Sequence, residues 1–495
     1  MKKPAKATLT RQMGLLVVTA TGVSSMVGAS INIVPFMIHR SVPEIGSYVL
    51  WAFVFAALPA LMAGFAFAIL SSAMPHAGGS YLYASRGLHP YLGFVASFSQ
   101  WFGLSIVIGV IAYLTVPFVR DIALVAHMEW LANVLSIPWV RVGLSLAMIW
   151  FFVWINFKGI QTYSRLLLPM VVLIFALGGI VIASGLIYDT NDYLAALETT
   201  STTPFTPVSD MPFNWITFLS AAAVLFSSFI GFDAIAQTGS EAKNPTRNLP
   251  LAILLAILGV GVFYFLFTAS VYHMVPWSYI ALQAQSADIT APGMLSLILP
   301  SGWDIAILAG AAIALINDLP AMLLSVSRLM FAWARDGIFP QAITRVHPKN
   351  HTPYIALIIA GIIASIGVLG SHFAGDFFLG IDIMVIAMLV NFLLMSVTVL
   401  SIPRVNVNLA QRISVFRSRR LQLITGVSGI ILISIFLITH VYKDLSKELE
   451  AWYFHSTYVW LLVMALGSLV FYYHWRQLSH GPEQAKNIFK TLPNQ

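Results

Sequence analysis

Apolar residues in this chain gather in long, nearly unbroken stretches separated by polar connections. Twelve such stretches lie at about 14–38, 48–74, 91–119, 137–156, 165–187, 214–238, 249–274, 304–327, 354–371, 379–402, 422–441 and 456–475. Each approaches or exceeds the ~20 apolar residues that a helix needs to cross a hydrocarbon core of ~30 Å. A barrel would instead show ten-residue segments of alternating polarity. The pattern predicts an all-α integral membrane protein of about 12 transmembrane helices.

Two stretches are interrupted from within. "GVSSMVGASIN" (Gly22 to Asn32) places two glycines, three serines and an asparagine in the middle of the first span. "FSSFIGFDAIAQ" (Phe226 to Gln237) puts serines, a glycine and an acid inside the sixth. Small and polar residues weaken a helix and free backbone groups that lipid cannot satisfy. Either they permit close packing on a neighbour, or these helices are broken. Spans one and six are corresponding members of two five-helix halves. Interruptions at matching positions point to a 5+5 inverted-repeat transporter with its site at the midplane. The expected organisation is an N-terminal segment 1–13, a ten-helix core 14–402, a basic loop with two additional spans 403–475, and a tail 476–495.

Composition agrees with this class. The 495 residues are 59% hydrophobic and 9% charged, with a mean hydropathy of +0.85, far outside the soluble range. A short basic start runs straight into a full-length span, so no cleavable signal peptide is expected. With no cysteine there is no disulfide or thiol chemistry. If the N-terminus is cytoplasmic, the termini and even-numbered connections hold 21 of the 26 Lys and Arg residues, and Arg40, Arg120, Arg141, Lys443 and Lys447 lie outside. Asp189, Asp192, Glu198 and Asp210 share one outer loop that has no Lys or Arg. This asymmetry predicts a multi-pass protein of a cell (inner) membrane, surrounded by lipid, with both termini cytoplasmic. The net charge of +7 then belongs to cytoplasmic loops, and no nucleic-acid partner is implied.

Three motifs carry a family resemblance. They are "PHAGGSYLYASRGLHPYLGF" (Pro75 to Phe94), "GFDAIAQTGSEAKNPTRNLPLAI" (Gly231 to Ile253) and "SRLMFAWARDGIFPQAITRVHPKNHTP" (Ser327 to Pro353). Together with the first span they resemble amino acid–polyamine–organocation (APC) transporters, of the amino acid permease type, in order across ten spans. The resemblance implies two inverted five-helix repeats, spans one and six unwound at mid-membrane, and amino acids or related amines as substrates. It makes the opening stretch a substrate cradle, with Gly28 at the first usual glycine, Ser30 at the second, and Asn32 in place of a usual phenylalanine.

A broken helix exposes unpaired N–H groups at the start of its second half, which suits an anion. The amides of Gly28, Ala29 and Ser30 are therefore expected to hold a substrate carboxylate. Carbonyls near Met26 and from Phe226 to Phe229 are expected to hold an ammonium. Ser227, Ser228, Phe229 and Phe232 are left to read the side chain, with Phe229 or Phe232 as aromatic gates. Asp233 and Asp318 are acids inside spans, functional candidates by default. Asp233 also stands where an N-cap would stand. Asp318, ~21 Å into span eight, is either a proton carrier or a desolvated acid tied to Asn317 or to backbone freed by Pro320. The lysine that proton-using members can place early in span five is replaced by Gln161, and no mid-span serine or threonine pair completes a sodium site. Asp382, a turn inside span ten, reads as an interface residue. Glu241, Lys243, Asn244 and Arg247 face Arg328, Arg335 and Asp336 across the inner loops, as a gate or a folding device. Gly78 and Gly79 suit a turn with positive φ.

The expected function is secondary transport of an amino acid or related amine by alternating access, with H+ as coupling ion, in symport or exchange. A polyamine or organic-cation carrier, or a nutrient-sensing receptor on the same fold, remains open. An enzyme is not expected, because there is no H-E-x-x-H or Walker A pattern and the histidines are scattered. No cofactor and no metal are expected.

Overall fold

The computed structural model describes residues 9–493, apart from 201–204, 209–210, 288, 301, 375–377, 449–450 and 480–487. The side chains of a few helical residues, among them Ala29 and Ser30, also lie outside the described set. Among the described residues, twelve helical segments are long and apolar enough to cross a membrane: Leu15–Ser41, Pro43–Ala73, Pro90–Val125, Pro138–Phe157, Ile160–Ser184, Trp215–Gln237, Pro245–Met274, Ile305–Arg335, Tyr354–Phe373, Leu379–Val405, Arg419–Leu445 and Ser456–Leu478. Hereafter they are spans one to twelve.

Burial separates centre from periphery. Over an 18-residue apolar stretch of each, spans one and eight are 88% and 83% buried, whereas spans five and twelve are 17% and 28% buried. Span eight packs along span three, and span one lies between spans seven and eight. Spans eleven and twelve pack on span ten, and touch spans two and three respectively, from the periphery. Span three is 36 residues long, started by Pro90 at the first helical turn and by His89, whose ring accepts from Tyr91 N at 3.2 Å. Pro is preorganised for that position, where its missing N–H costs nothing.

Span eight outruns its expected end near 327, continuing to Arg335. The helix is extended by Arg328 and Trp333, both buried inside the protein, so a polar stretch is helical beyond the apolar run. The connections on the opposite face carry short helices at Glu129–Leu135, Thr190–Thr200, Trp277–Ser286 and Ala291–Leu295. Gly78 and Gly79 take φ of +105° and +29° in the turn between spans two and three.

Spans one and six are both broken. Span one is helical over Leu15–Met26, leaves the helix at Val27 and Gly28, and resumes over Ala29–Ser41. Span six runs over Trp215–Leu225, tightens into a 3-10 turn at Phe226–Phe229, opens at Ile230 to Asp233 and resumes over Ala234–Gln237.

Candidate functional site

The two breaks lie backbone against backbone. Gly231 has φ +131°, and a Cβ there would overlap the carbonyl of Ser25 and lie 2.7 Å from Met26 N. Only glycine meets both demands, a mirror-side φ and contact with another main chain. Gly28, the residue before the second half of span one, faces Asp318: a Cβ would overlap its Oδ2 and lie 2.9 Å from Oδ1. Gly22 serves packing, since a Cβ there would stand 2.7 Å from Ile235 Cγ1 in the second half of span six. Both readings of the opening glycines therefore apply, at different residues.

A cavity of about 50 Å³ opens where the breaks meet. It is bordered by Ser25 and Met26 before the span-one break, Ile33 and Val34 beyond it, and Ser227 and Ile230 of span six. Val107, Val110, Ile111 and Leu114 of span three, Asp318 and Met322 of span eight, and Ile381 and Met384 of span ten close it. The hydroxyls of Ser25 and Ser227 and Oδ1 of Asp318 are buried here with no hydrogen-bond partner among the described residues. Buried polar atoms are normally paired, so three orphans at one cavity mark a place where a ligand's donors can be taken. Substrate pockets are ~300–1,000 Å³. This one must widen to admit an amino acid.

Other expected site residues are placed elsewhere. Phe229 packs on Phe53 and Tyr264, with ring centroids 5.1 and 6.3 Å away, behind span six. Phe232 stacks on Phe392 at 5.0 Å, and Phe226 stands edge-on to Phe392 and Phe436. None of the three borders the cavity in this conformation. Ser228 is buried with its hydroxyl unpartnered among the described residues, also off the cavity. Asn32 borders a separate gap of about 20 Å³ toward spans five, seven and eight, and adds no polarity to the site. The backbone of Ala29 and Ser30 begins the second helix of span one, while their side chains lie outside the described residues.

The tie expected between Asp318 and Asn317 is not formed among the described residues: Asn317 donates to Ser24 Oγ at 2.7 Å. Asp233 does not cap the helix that follows it. Its Oδ1 accepts from Gly231 N at 3.2 Å, across the break, and its Oδ2 accepts from Gln100 Nε2 of span three. Oε1 of Gln100 in turn accepts from Ser80 Oγ at 2.5 Å, Asn391 Nδ2 at 3.3 Å and Gln237 Nε2 at 3.4 Å. This fully buried network binds the broken part of span six to spans three and ten. Tyr264 of span seven donates to the carbonyl of Met26 at 2.5 Å, holding the end of the first half-helix.

The face that carries the basic loops is latched. Arg328 grips Glu241 with two bonds, Nη2 to Oε1 at 2.6 Å and Nε to Oε2 at 3.1 Å, both side chains buried. The Glu241 carbonyl accepts from Gln12 N and Met13 N at 2.8 and 2.9 Å, so the start of span one is stitched to the same loop. Arg335 joins no ion pair among the described residues; Arg86 takes Asp336 instead, at 2.5 Å. Tyr81 donates to the same Asp336 oxygen at 2.8 Å. Burial and then the Asp336 carboxylate raise the Tyr81 hydroxyl well above its ordinary pKa, so it remains a donor. Nearby His76 is lowered to about 4, first by burial and then by Arg335, Arg11, Arg86 and Arg412. Sequence reasoning did not single out Gln100, Tyr264, Gly231 or Arg86; Gly231 alone carried a signal, as a glycine in mid-span. At the opposite face Asp382 pairs with Lys447 at 3.1 Å, joining span ten to span eleven.

Comparison with known proteins gives a consistent answer. The family model for amino acid permeases matches residues 13–466. The chain is similar to the branched-chain amino acid permease BcaP of Bacillus subtilis (strain 168), 26% identical over 380 residues, covering 72% of this chain and 74% of that one. It is also similar to the low-affinity putrescine importer PlaP of Escherichia coli (strain K12), 27% identical over 319 residues, 64% of this chain and 66% of the importer. That second match spans just under two thirds of the importer's length.

Proposed function

The chain belongs to the amino acid permease family, and from that premise we propose that it carries an amino acid or related amine across a cell membrane by alternating access through the cavity at the crossed breaks. The observation that carries this reading is the meeting of the two breaks, Gly231 against Ser25, beside three orphaned polar atoms in one buried space. Half-helices that end at a cavity offer partial charges of both signs to a polar solute. A hinge exists there as well, because the backbone has already left the helix on both spans.

The basic face is cytoplasmic on this proposal, following the Lys and Arg bias of the connections. The Arg328–Glu241 and Arg86–Asp336 pairs then form the inner gate, closed in this conformation. Inward opening swings the second half of span six away from span three, which separates Asp233 from Gln100. Proton coupling fits the two acids at the breaks, Asp233 and Asp318. Uptake into proteoliposomes tests the reading, with a panel of labelled amino acids and amines and with or without an imposed pH gradient. Saturable uptake accelerated by an inward proton gradient is expected. Binding without flux would replace the carrier by a receptor.

A further inference from the structure

The charge balance of the cavity narrows the ligand. At the end of the first half of span one, the Met26 carbonyl is engaged and that of Ser25 is covered. Tyr264 donates to Met26 O at 2.5 Å, and the Gly231 backbone lies against Ser25 O. Beside the start of the second half stands the Asp318 carboxylate, its Oδ2 placed where a Cβ on Gly28 would be. That start is the positive end of a 13-residue helix, where a ligand's carboxylate would have to sit. Of the fourteen described residues around the cavity, eleven are apolar and Asp318 alone is charged; none of them is Lys, Arg or His. Oδ1 of Asp318 and the hydroxyls of Ser25 and Ser227, all more than nine-tenths buried, accept no hydrogen bond from the described residues.

We infer that Asp318, and not the backbone, reads the ligand's charge, and that the ligand is a small apolar monoamine without a carboxylate. Its ammonium has three donors. They match Asp318 Oδ1 and the hydroxyl oxygens of Ser25 and Ser227. Its hydrocarbon part lies among Val107, Val110 and Ile111. A zwitterion would bring a carboxylate beside Asp318, to a wall with no Lys, Arg or His among its described residues to pair with it. A diamine would bring a second cation to a wall with no second acid. The inference rests on the cavity being the substrate site, as proposed above.

The test is ligand-dependent thermal unfolding of the purified full chain, with isopentylamine, leucine, putrescine and sodium chloride as probes. Uptake of the labelled organic probes into proteoliposomes accompanies it. A ligand of the folded state raises the midpoint by mass action. Isopentylamine is expected to raise it and to be taken up, and leucine, putrescine and sodium to do neither at equal concentration. Asp318→Asn is expected to weaken isopentylamine at least tenfold. Ser227→Ala, which leaves the carboxylate in place, is expected to weaken it several-fold and keeps the test decisive if the first variant does not fold. Leucine binding that survives or improves in Asp318→Asn overturns the inference and leaves the cavity as an amino acid site. Tighter putrescine than isopentylamine, or a sodium shift lost in Asp318→Asn, overturns it too. If no amino acid or amine binds or moves, the cavity itself is misassigned.

Discussion

Replacing Gly231 by alanine perturbs the point where the two broken spans meet main chain to main chain. The backbone there sits at φ +131°, which costs a residue with a side chain about 1–3 kcal/mol. The added methyl would overlap the Ser25 carbonyl, and main chain cannot rotate aside as a side chain can. Overpacking of this kind costs a further ~1–3 kcal/mol. Together roughly 2–6 kcal/mol must be met by pushing span one from span six. At ~1.4 kcal/mol per factor of ten, the lower end already corresponds to about thirty-fold if it falls on substrate affinity. Gly259→Ala is the control. It lies in span seven with no atom within 4 Å of a Cβ, so it should leave function alone and stabilise the helix by up to ~1 kcal/mol. Thermal midpoints and initial uptake rates of both variants decide the matter. A Gly231→Ala protein with wild-type midpoint and uptake would refute the described contact.

Other expectations follow from the same geometry. Arg328→Met and Glu241→Gln each strand a buried charge or its partner, and each should cost about 3–5 kcal/mol; the double variant Arg328→Met/Glu241→Gln should recover much of it in thermal unfolding. Asp233→Asn sets an amide N–H₂ against that of Gln100 and should reduce stability by roughly 1–3 kcal/mol. Exchanging the acid, as Asp233→Asn with Gln100→Glu, should restore uptake if the bond itself matters. His76 titrates near 6.5 when unfolded and about 4 when folded. The unfolded chain therefore binds the extra proton between those values, and stability present above pH 6.5 should fall as pH drops through that window. His76→Gln should flatten this part of the stability–pH curve. Removing the tail from Ile488 onward takes away the carbonyl that Arg86 Nη2 reaches at 3.1 Å and the Phe489 ring 5.1 Å from its guanidinium. Solvent access to the Arg86–Asp336 pair should rise, measured as faster hydrogen exchange in residues 81–86.

Much of the architecture was legible because crossing a bilayer is a demand on length and apolarity that a short window satisfies. All twelve expected stretches correspond to spans, with ends displaced where a helix outlasts its apolar run, as at Arg328 to Arg335. The breaks were legible because Gly28 and the serines near Met26 have no place in a lipid-facing helix. What stayed hidden is which way side chains point. Phe229, Phe232 and Asn32 flank the breaks in sequence, yet the loss of helical periodicity at Gly28 and Gly231 turns them to other neighbours. Partners far apart in sequence were equally hidden. Nothing around Gln100 or Tyr264 marks either as the residue that holds a broken span. The Arg86–Asp336 pair joins residues 250 positions apart, whereas Glu241 and Arg328 stood in motifs already suspected of meeting.

The most direct test of the central claim uses the absence of cysteine in the chain. Ser227→Cys places a single thiol at the cavity, and a small thiol reagent added from outside reports its exposure. With a saturating concentration of a transported substrate, labelling should slow at this position, while a cysteine at Ser286, exposed on the connection between spans seven and eight, should react at an unchanged rate. Labelling of Ser227→Cys that is indifferent to saturating substrate would contradict the placement of the site between spans one and six.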